Sequence, residues 1–292
     1  MHVPVLLKET VEILDPRPGK NFIDLTCGGG GHSAALLEQI APNGKILAVD
    51  WDEEAIAWAK KKIPVESQTR VIFKNANFAD VADLINAEKF GPVHGILLDL
   101  GWSSDQLETS GRGFSFLRDE PLDMRYNAKS DGLTAREIVN QWPPPEIEKI
   151  LKDFGEERLA KKITAALIKA RQQKPILTTG ELVAAIAPAV PLRLKNARIH
   201  FATRTFQALR IAVNDELGNL AKVLPRSMAV LETGGRLAVI SFHSLEDRLV
   251  KKFFRQTAGW KILNKRPLSP LLEEVKKNPR SRSAKLRAAE KI

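Results

Sequence analysis

The sequence predicts an α/β fold, with one mostly parallel sheet flanked by helices and interrupted by an inserted all-helical domain. Three observations predict it. Strand-like and helix-like segments alternate through roughly the first hundred residues, strand patterning then disappears for about as long, and a strand-like segment returns at Arg236–Phe242. The expected organisation is residues 1–104 and 216–292 as one domain, with 105–215 inserted.

In order, apolar runs rich in β-branched residues mark strands at Asn21–Leu25, Lys45–Asp50, Val71–Asn75 and Val93–Leu100. Helix patterning at Ser33–Ala41, Glu53–Lys62 and Ala79–Ala87 supplies the crossovers that parallel strands require. Residues 105–127 are polar and glycine-rich. Beyond them, Thr134-x-x-Glu137 and Thr178-x-x-Glu181 read as capping boxes, and Pro143-Pro144-Pro145 separates helices. Apolar stripes predict helices over about Glu156–Gln172 and Arg198–Leu217. After a turn at Thr233-Gly234-Gly235 the fifth strand begins, and the tail should close the sheet with a last strand pair around Trp260–Leu263 and Leu286, joined through a mobile Asn278–Arg282 link.

Four glycines, Gly28–Gly31, lie between the first strand and its helix, and the second strand ends in Asp50. A side-chain-free turn lets a ligand approach the backbone, the helix start offers free N–H groups, and the carboxylate can accept both hydroxyls of a ribose. Gly30, Gly31, His32 and Asp50 are therefore candidates for a nucleoside-cofactor site. The fourth strand ends in Asp99-Leu100-Gly101-Trp102-Ser103-Ser104, at the sheet edge where such folds bind ligands. Phe78, after the third strand, is placed either on an adenine ring or in the core. The turn lacks the third glycine of a dinucleotide fingerprint, having Ser33 there, although glycine turn and Asp50 alone also suit a nicotinamide-dependent oxidoreductase.

The net charge of +10 is unevenly placed: residues 1–104 are net −4, while 105–260 and 261–292 are each +7. An acidic front part suits a cationic or neutral small ligand, and basic later parts suit a polyanion such as nucleic acid. Arg112, Arg125, Arg204, Arg210, Arg280 and Arg282 are candidates to hold RNA phosphates. A non-catalytic RNA-binding protein would also explain the charge, but it has no need of a nucleoside pocket. Cys27 is the only cysteine, which excludes an intrachain disulfide and a cysteine metal cluster, and no metal site is expected. No apolar run is long enough for a membrane span, so the chain is expected to be cytoplasmic, with no membrane partner.

Several long motifs identify a family. They include His2-Val3-Pro4-Val5-Leu6-Leu7-Lys8-Glu9, Asp24-Leu25-Thr26-Cys27-Gly28-Gly29-Gly30-Gly31-His32-Ser33, Leu98-Asp99-Leu100-Gly101-Trp102-Ser103-Ser104-Asp105-Gln106-Leu107 and Pro121-Leu122-Asp123-Met124-Arg125. Further along come Ala202-Thr203-Arg204-Thr205-Phe206-Gln207-Ala208-Leu209-Arg210, Ile240-Ser241-Phe242-His243-Ser244-Leu245-Glu246-Asp247-Arg248 and Asn278-Pro279-Arg280-Ser281-Arg282-Ser283-Ala284-Lys285-Leu286-Arg287. Over nearly its whole length the chain resembles the bacterial small-subunit ribosomal RNA methyltransferase H (MraW) family. The resemblance implies a class I (Rossmann-like) methyltransferase fold, S-adenosyl-L-methionine as cofactor, and N4-methylation of a cytidine in the decoding region of 16S ribosomal RNA, free or within the small ribosomal subunit. It implies cofactor contacts from Gly30, Gly31, His32, Asp50, Phe78, Asp99 and Gln106. Trp102 departs from the smaller aliphatic residue usual in the family.

An exocyclic amine is a poor nucleophile, because its lone pair is delocalised into the ring. Acceptors for its N–H groups are needed, one of which takes the released proton. Asp99 is the first candidate for that role, and His243, after the fifth strand, is the second. A helix cap by Ser244 or Asp247 is the competing reading of that last segment.

Overall fold

In a computed structural model of the chain, residues 4–101, 110–195 and 199–292 are described. Two compact units emerge: Met1–Ser104 with Leu217–Ile292, and Asp105–Glu216.

The first unit opens with α1 (Leu7–Leu14), then alternates β1 (Phe22–Asp24), α2 (Gly31–Gln39), β2 (Ile46–Asp50), α3 (Glu53–Lys62), β3 (Val71–Asn75), α4 (Val81–Glu88) and β4 (Val93–Asp99). The second unit contains α5 (Ala135–Gln141), α6 (Pro144–Asp153), α7 (Ala160–Gln173), α8 (Thr179–Ile186), α9 (Leu192–Lys195) and α10 (Thr203–Asn214). Helix α11 (Glu216–Val230) returns the chain to the first unit, followed by β5 (Leu231–Ser241), α12 (Ser244–Gln256), β6 (Trp260–Ile262), α13 (Leu272–Lys277) and β7 (Lys285–Lys291).

The seven strands form one sheet in the order β3-β2-β1-β4-β5-β7-β6. Strands β1 to β5 are parallel, and β7 runs antiparallel between β5 and β6. Alternate residues of each central strand feed two apolar layers. Phe22, Ala48, Leu97 and Ile240 face one with α1, α2 and α3, while Ile23, Val49, Leu98 and Val239 face the other with α4, α11 and α12. Both faces are covered, which is why these strands read as unbroken apolar runs. Helix α3 is capped by Asp52, whose side chain accepts from Glu54 N at 3.1 Å, and it has acids in its first turn and three lysines in its last.

Four local expectations are corrected. Thr233-Gly234-Gly235 lies inside β5, as an irregularity that shifts the register between Val93↔Leu231 and Gly95↔Arg236. Helix α7 starts at Ala160, because Glu156 is left-handed (φ 47°) and Glu157 turns back to accept from Leu159 N. Asp215, also left-handed (φ 46°), ends α10 where apolar periodicity runs on. The Asn278–Arg282 link is a 3-10 turn over Pro279–Ser283, with Ser281 buried and its hydroxyl donating to the Asn278 carbonyl at 2.8 Å. Among the described residues, no helix is long and apolar enough to cross a membrane.

Candidate active site

The C-terminal ends of β1, β2 and β4 bring three carboxylates, Asp24, Asp50 and Asp99, to the edge of the sheet from which the glycine turn springs. The turn is held by Cys27 N donating to the Val49 carbonyl (2.9 Å) and Gly30 N to that of Cys27 (2.7 Å). Gly30 caps α2 in the left-handed region (φ 77°), and a Cβ there would lie 2.9 Å from Ala59 Cα. At Gly31 a Cβ would lie 2.2 Å from the Pro4 ring. Glycine is required at both positions by close approach, and at Gly30 also by conformation.

Asp50 accepts Gly28 N on Oδ2 and Asp52 N on Oδ1, each at 2.9 Å. A carboxylate offers about four acceptor sites, so each oxygen keeps capacity for one hydroxyl of a vicinal diol. Asp24, fully buried, accepts from Ser33 Oγ at 2.6 Å and Thr26 N at 3.3 Å. The residue that replaces the third glycine is thus the partner of a buried acid. Thr26 Oγ1 in turn accepts from Asp99 N at 2.6 Å, locking the end of β4 to the turn after β1.

His32 lies between these groups. Its Nε2 lies 3.0 Å from the Val5 carbonyl, which can only accept, so Nε2 carries a proton and Nδ1 faces Asp99 Oδ2 at 3.7 Å. Burial raises all three carboxyls: Asp24 to about 6, against the hydrogen bonds from Ser33 and Thr26, and Asp50 and Asp99 each to about 7. Repulsion adds to the rise, from Asp52 and Asp24 at Asp50 and from Asp24 and Glu246 at Asp99. Burial and the adjacent Asp50 and Asp24 push the Cys27 thiol upward as well. Among the described residues, Asp24 and Asp50 are met only by neutral donors. The edge therefore keeps an excess of anionic groups, which fits a cofactor bearing a sulfonium and an ammonium beside a ribose.

The structure brings Gly30, Gly31, His32, Asp50 and Asp99 together. Phe78 opens a 3-10 turn (Phe78–Asp80) and is half-buried against the apolar layer of α4 and α11. Gln106 and Trp102 lie outside the described residues. His243 is the cap of α12, in place of Ser244 or Asp247: Nδ1 accepts from Glu246 N at 3.4 Å, and the Glu246 carboxylate accepts from His243 N and Phe242 N at 3.2 and 2.8 Å. His243 Nδ1 thus serves the cap, and Nε2 lies 3.1 Å from Glu246 Oε1.

Four of the six arginines expected at RNA have internal partners in the second unit. Arg112 donates to the carbonyls of Arg125 and Tyr126 at 3.2 and 2.6 Å and lies over the Phe114 ring. Arg125 grips Asp123 with two nitrogens, at 2.8 and 2.7 Å, and Arg210 grips Glu216 likewise at 2.7 and 3.0 Å. A planar guanidinium bonded in this way is a clamp for its own loop. Arg204 is exposed and reaches the Glu156 carbonyl at 3.1 Å, Arg280 is half-buried, and Arg282 is exposed.

Sequence reasoning did not find the roles of Ser33, Thr26 and the Pro4–Val5 segment. The Asp-x-Thr and Gly-x-x-Ser spacings were visible, but their partners come from other strands.

Comparison with known proteins shows the family of the chain. The chain is 46% identical to the ribosomal RNA small subunit methyltransferase H of Heliobacterium modesticaldum over 310 aligned positions, covering 100% of this chain and 98% of that protein. The protein of the same name from Trichlorobacter lovleyi is also 46% identical, with the same coverage. That from Symbiobacterium thermophilum is 43% identical, covering 100% of this chain and 96% of that protein. The MraW methylase family matches residues 1–292, end to end, and the chain, with its glycine turn and acidic strand ends, belongs to that family of S-adenosylmethionine-dependent methyltransferases.

Proposed function

We propose that this protein methylates the exocyclic N4 of a cytidine in the decoding region of 16S ribosomal RNA, with residues Gly28–His32 and Asp50 holding the cofactor and Asp99 receiving the proton. The observation that carries the reading is Asp99: a carboxyl at the strand end, raised by burial to about 7 and 3.7 Å from His32 Nδ1. Such a group can accept an amine N–H and take its proton near neutral pH. The names of the full-length relatives support small-subunit ribosomal RNA as the substrate.

Bound S-adenosylmethionine supplies an electrophilic methyl carbon. Asp99, accepting one N–H of the amine, favours a more pyramidal nitrogen and orients its lone pair. His32, anchored through the Val5 carbonyl, packs Nδ1 3.7 Å from the Asp99 carboxyl and helps position it. The target cytidine must be splayed out of any stack to reach this edge.

The competing pyrimidine chemistry, methylation at carbon 5, needs a cysteine nucleophile. Cys27, the only cysteine, is buried inside the glycine turn with its thiol pushed upward, which disfavours thiolate. The test is product identity. Small-subunit RNA methylated with labelled S-adenosylmethionine and digested to nucleosides is expected to yield its label in N4-methylcytidine. Label in 5-methylcytidine, N6-methyladenosine or a 2′-O-methylated nucleoside would refute the assignment.

A further inference from the structure

Beside the end of β5, wholly within the first unit, lies a cavity of about 270 Å³. Phe242 and Ser244 line it from the start of α12, Ser269 from the segment before α13, and Arg282, Ser283 and Lys285 from the 3-10 turn and the start of β7. No carboxylate is among the lining residues. Three hydroxyls and two cations make a donor set for an anion with several acceptor oxygens. The volume is below the roughly 300–1,000 Å³ of pockets that enclose a drug-sized ligand, so the cavity suits one phosphate group better than a whole nucleotide.

The charge balance leaves the cavity positive. Lys285 Nζ is 3.2 Å from Asp247, but Arg287 Nε already occupies the other oxygen of that carboxylate at 2.6 Å, so the trio keeps a net positive charge. Arg282 is exposed, and among the described residues its guanidinium has no hydrogen bond or ion pair. This sets it apart from Arg112, Arg125 and Arg210, whose guanidiniums are internally bonded.

The position ties the cavity to the chemistry. Phe242 forms one wall, and its ring lies so close to Gly101 that a Cβ there would sit 2.5 Å from it. Gly101 N donates to Asp99 Oδ1 at 3.3 Å. One aromatic ring therefore separates the cavity from the backbone that holds the proton acceptor.

We propose that this cavity seats a phosphodiester of the RNA next to the methylated nucleotide, with Arg282 and Lys285 as its cations and Ser244, Ser269 and Ser283 as donors to its oxygens. The inference rests on the RNA reading above, and adds where the backbone is gripped. Arg282→Gln and Ser269→Glu, both at exposed positions, test it in the full-length chain with S-adenosylhomocysteine present. The probe is a labelled RNA hairpin containing the cytidine that the wild type methylates. Each variant is expected to bind it about tenfold or more weakly, as for loss of a charged hydrogen bond. For Arg282→Gln the dependence of log K on log salt should be shallower by about 0.7, one phosphate contact on a single strand. Affinity for S-adenosylmethionine should stay within about twofold, the spread of context effects.

A scan with single methylphosphonates completes the test. One neutralised linkage flanking the target should weaken wild-type binding and leave Arg282→Gln unaffected. Wild-type RNA affinity and salt slope in both variants, with the wild type active on the hairpin, would overturn the cavity assignment alone. Arg282-dependent binding of inorganic phosphate, with hairpin affinity unchanged in the variants, would assign the cavity to free phosphate and also overturn it. No methyl transfer to any RNA by the wild type would remove both this inference and the reading it rests on.

Discussion

Replacing Asp99 by Asn removes one charge from the sheet edge while keeping an oxygen for the Gly101 N–H, 3.3 Å from Oδ1. The Asp99 side chain is 11% exposed, and burial raises its carboxyl from 3.8 to about 7. At about 1.4 kcal/mol per tenfold change in acidity, that rise corresponds to about 4 kcal/mol at most, and relaxation and water entry leave about 2–4 kcal/mol. The sign follows from proton counting. Between pH 3.8 and about 7 the folded chain holds a proton at Asp99 that the unfolded chain has released, so stability from this group is complete below pH 3.8 and lost as the pH rises through about 7. Asp99→Asn has no such proton to lose. Its stability relative to wild type should be near zero at pH 4 and grow to about +2–4 kcal/mol by pH 8, read by urea unfolding without cofactor across that range. Methyl transfer should fall by about 10²-fold or more at the same time, the usual scale for removing a proton acceptor. A stability difference that does not change with pH, or a variant less stable than wild type at pH 8, would show that Asp99 is not a buried carboxyl of raised pKa.

Asp50→Ala should weaken S-adenosylmethionine binding by about 1.5–3 kcal/mol, the size of charged hydrogen bonds, and calorimetric titration at near wild-type affinity would take Asp50 out of the site. Acidification through about pH 7 protonates Asp50 and Asp99, so the cationic cofactor should bind more weakly at pH 6 than at pH 8, while the neutral thioether product S-adenosylhomocysteine changes less; equal pH dependence for the two ligands would contradict the electrostatic account. Gly30→Ala combines φ 77° with a 2.9 Å approach to Ala59 Cα and should destabilise the chain by about 1–3 kcal/mol, and an unchanged urea midpoint would mean that the turn can relax.

Much of the fold is written in local patterns. Apolar runs ending in Asp24, Asp50 and Asp99 mark the central strands, because strands covered on both faces need no polar alternation. The glycine run marks the turn between β1 and α2, because a left-handed cap pressed on Ala59 excludes side chains. The elements that escaped sequence reading lack such marks. Helix α1 follows Leu6, which has φ 52° and no side-chain cap, and α10 and α11 are divided by one residue, Asp215, across which helical periodicity continues.

Composition and periodicity established a mostly parallel sheet with acidic strand ends and a basic remainder of the chain. Tertiary structure alone decided what the polar groups of that chain do. Ser33 reads as a missing glycine until Asp24 lies 2.6 Å from its hydroxyl, and only the fold shows that His243 closes the cap of α12 with Glu246. Arg125 and Arg282 are equivalent in sequence, yet one clamps Asp123 and the other lines an open cavity. The reason is range. Backbone conformation and apolar periodicity are set by neighbours in the chain, whereas the ionisation and availability of a polar side chain depend on burial and on partners brought from distant strands, which exist only once the sheet has formed.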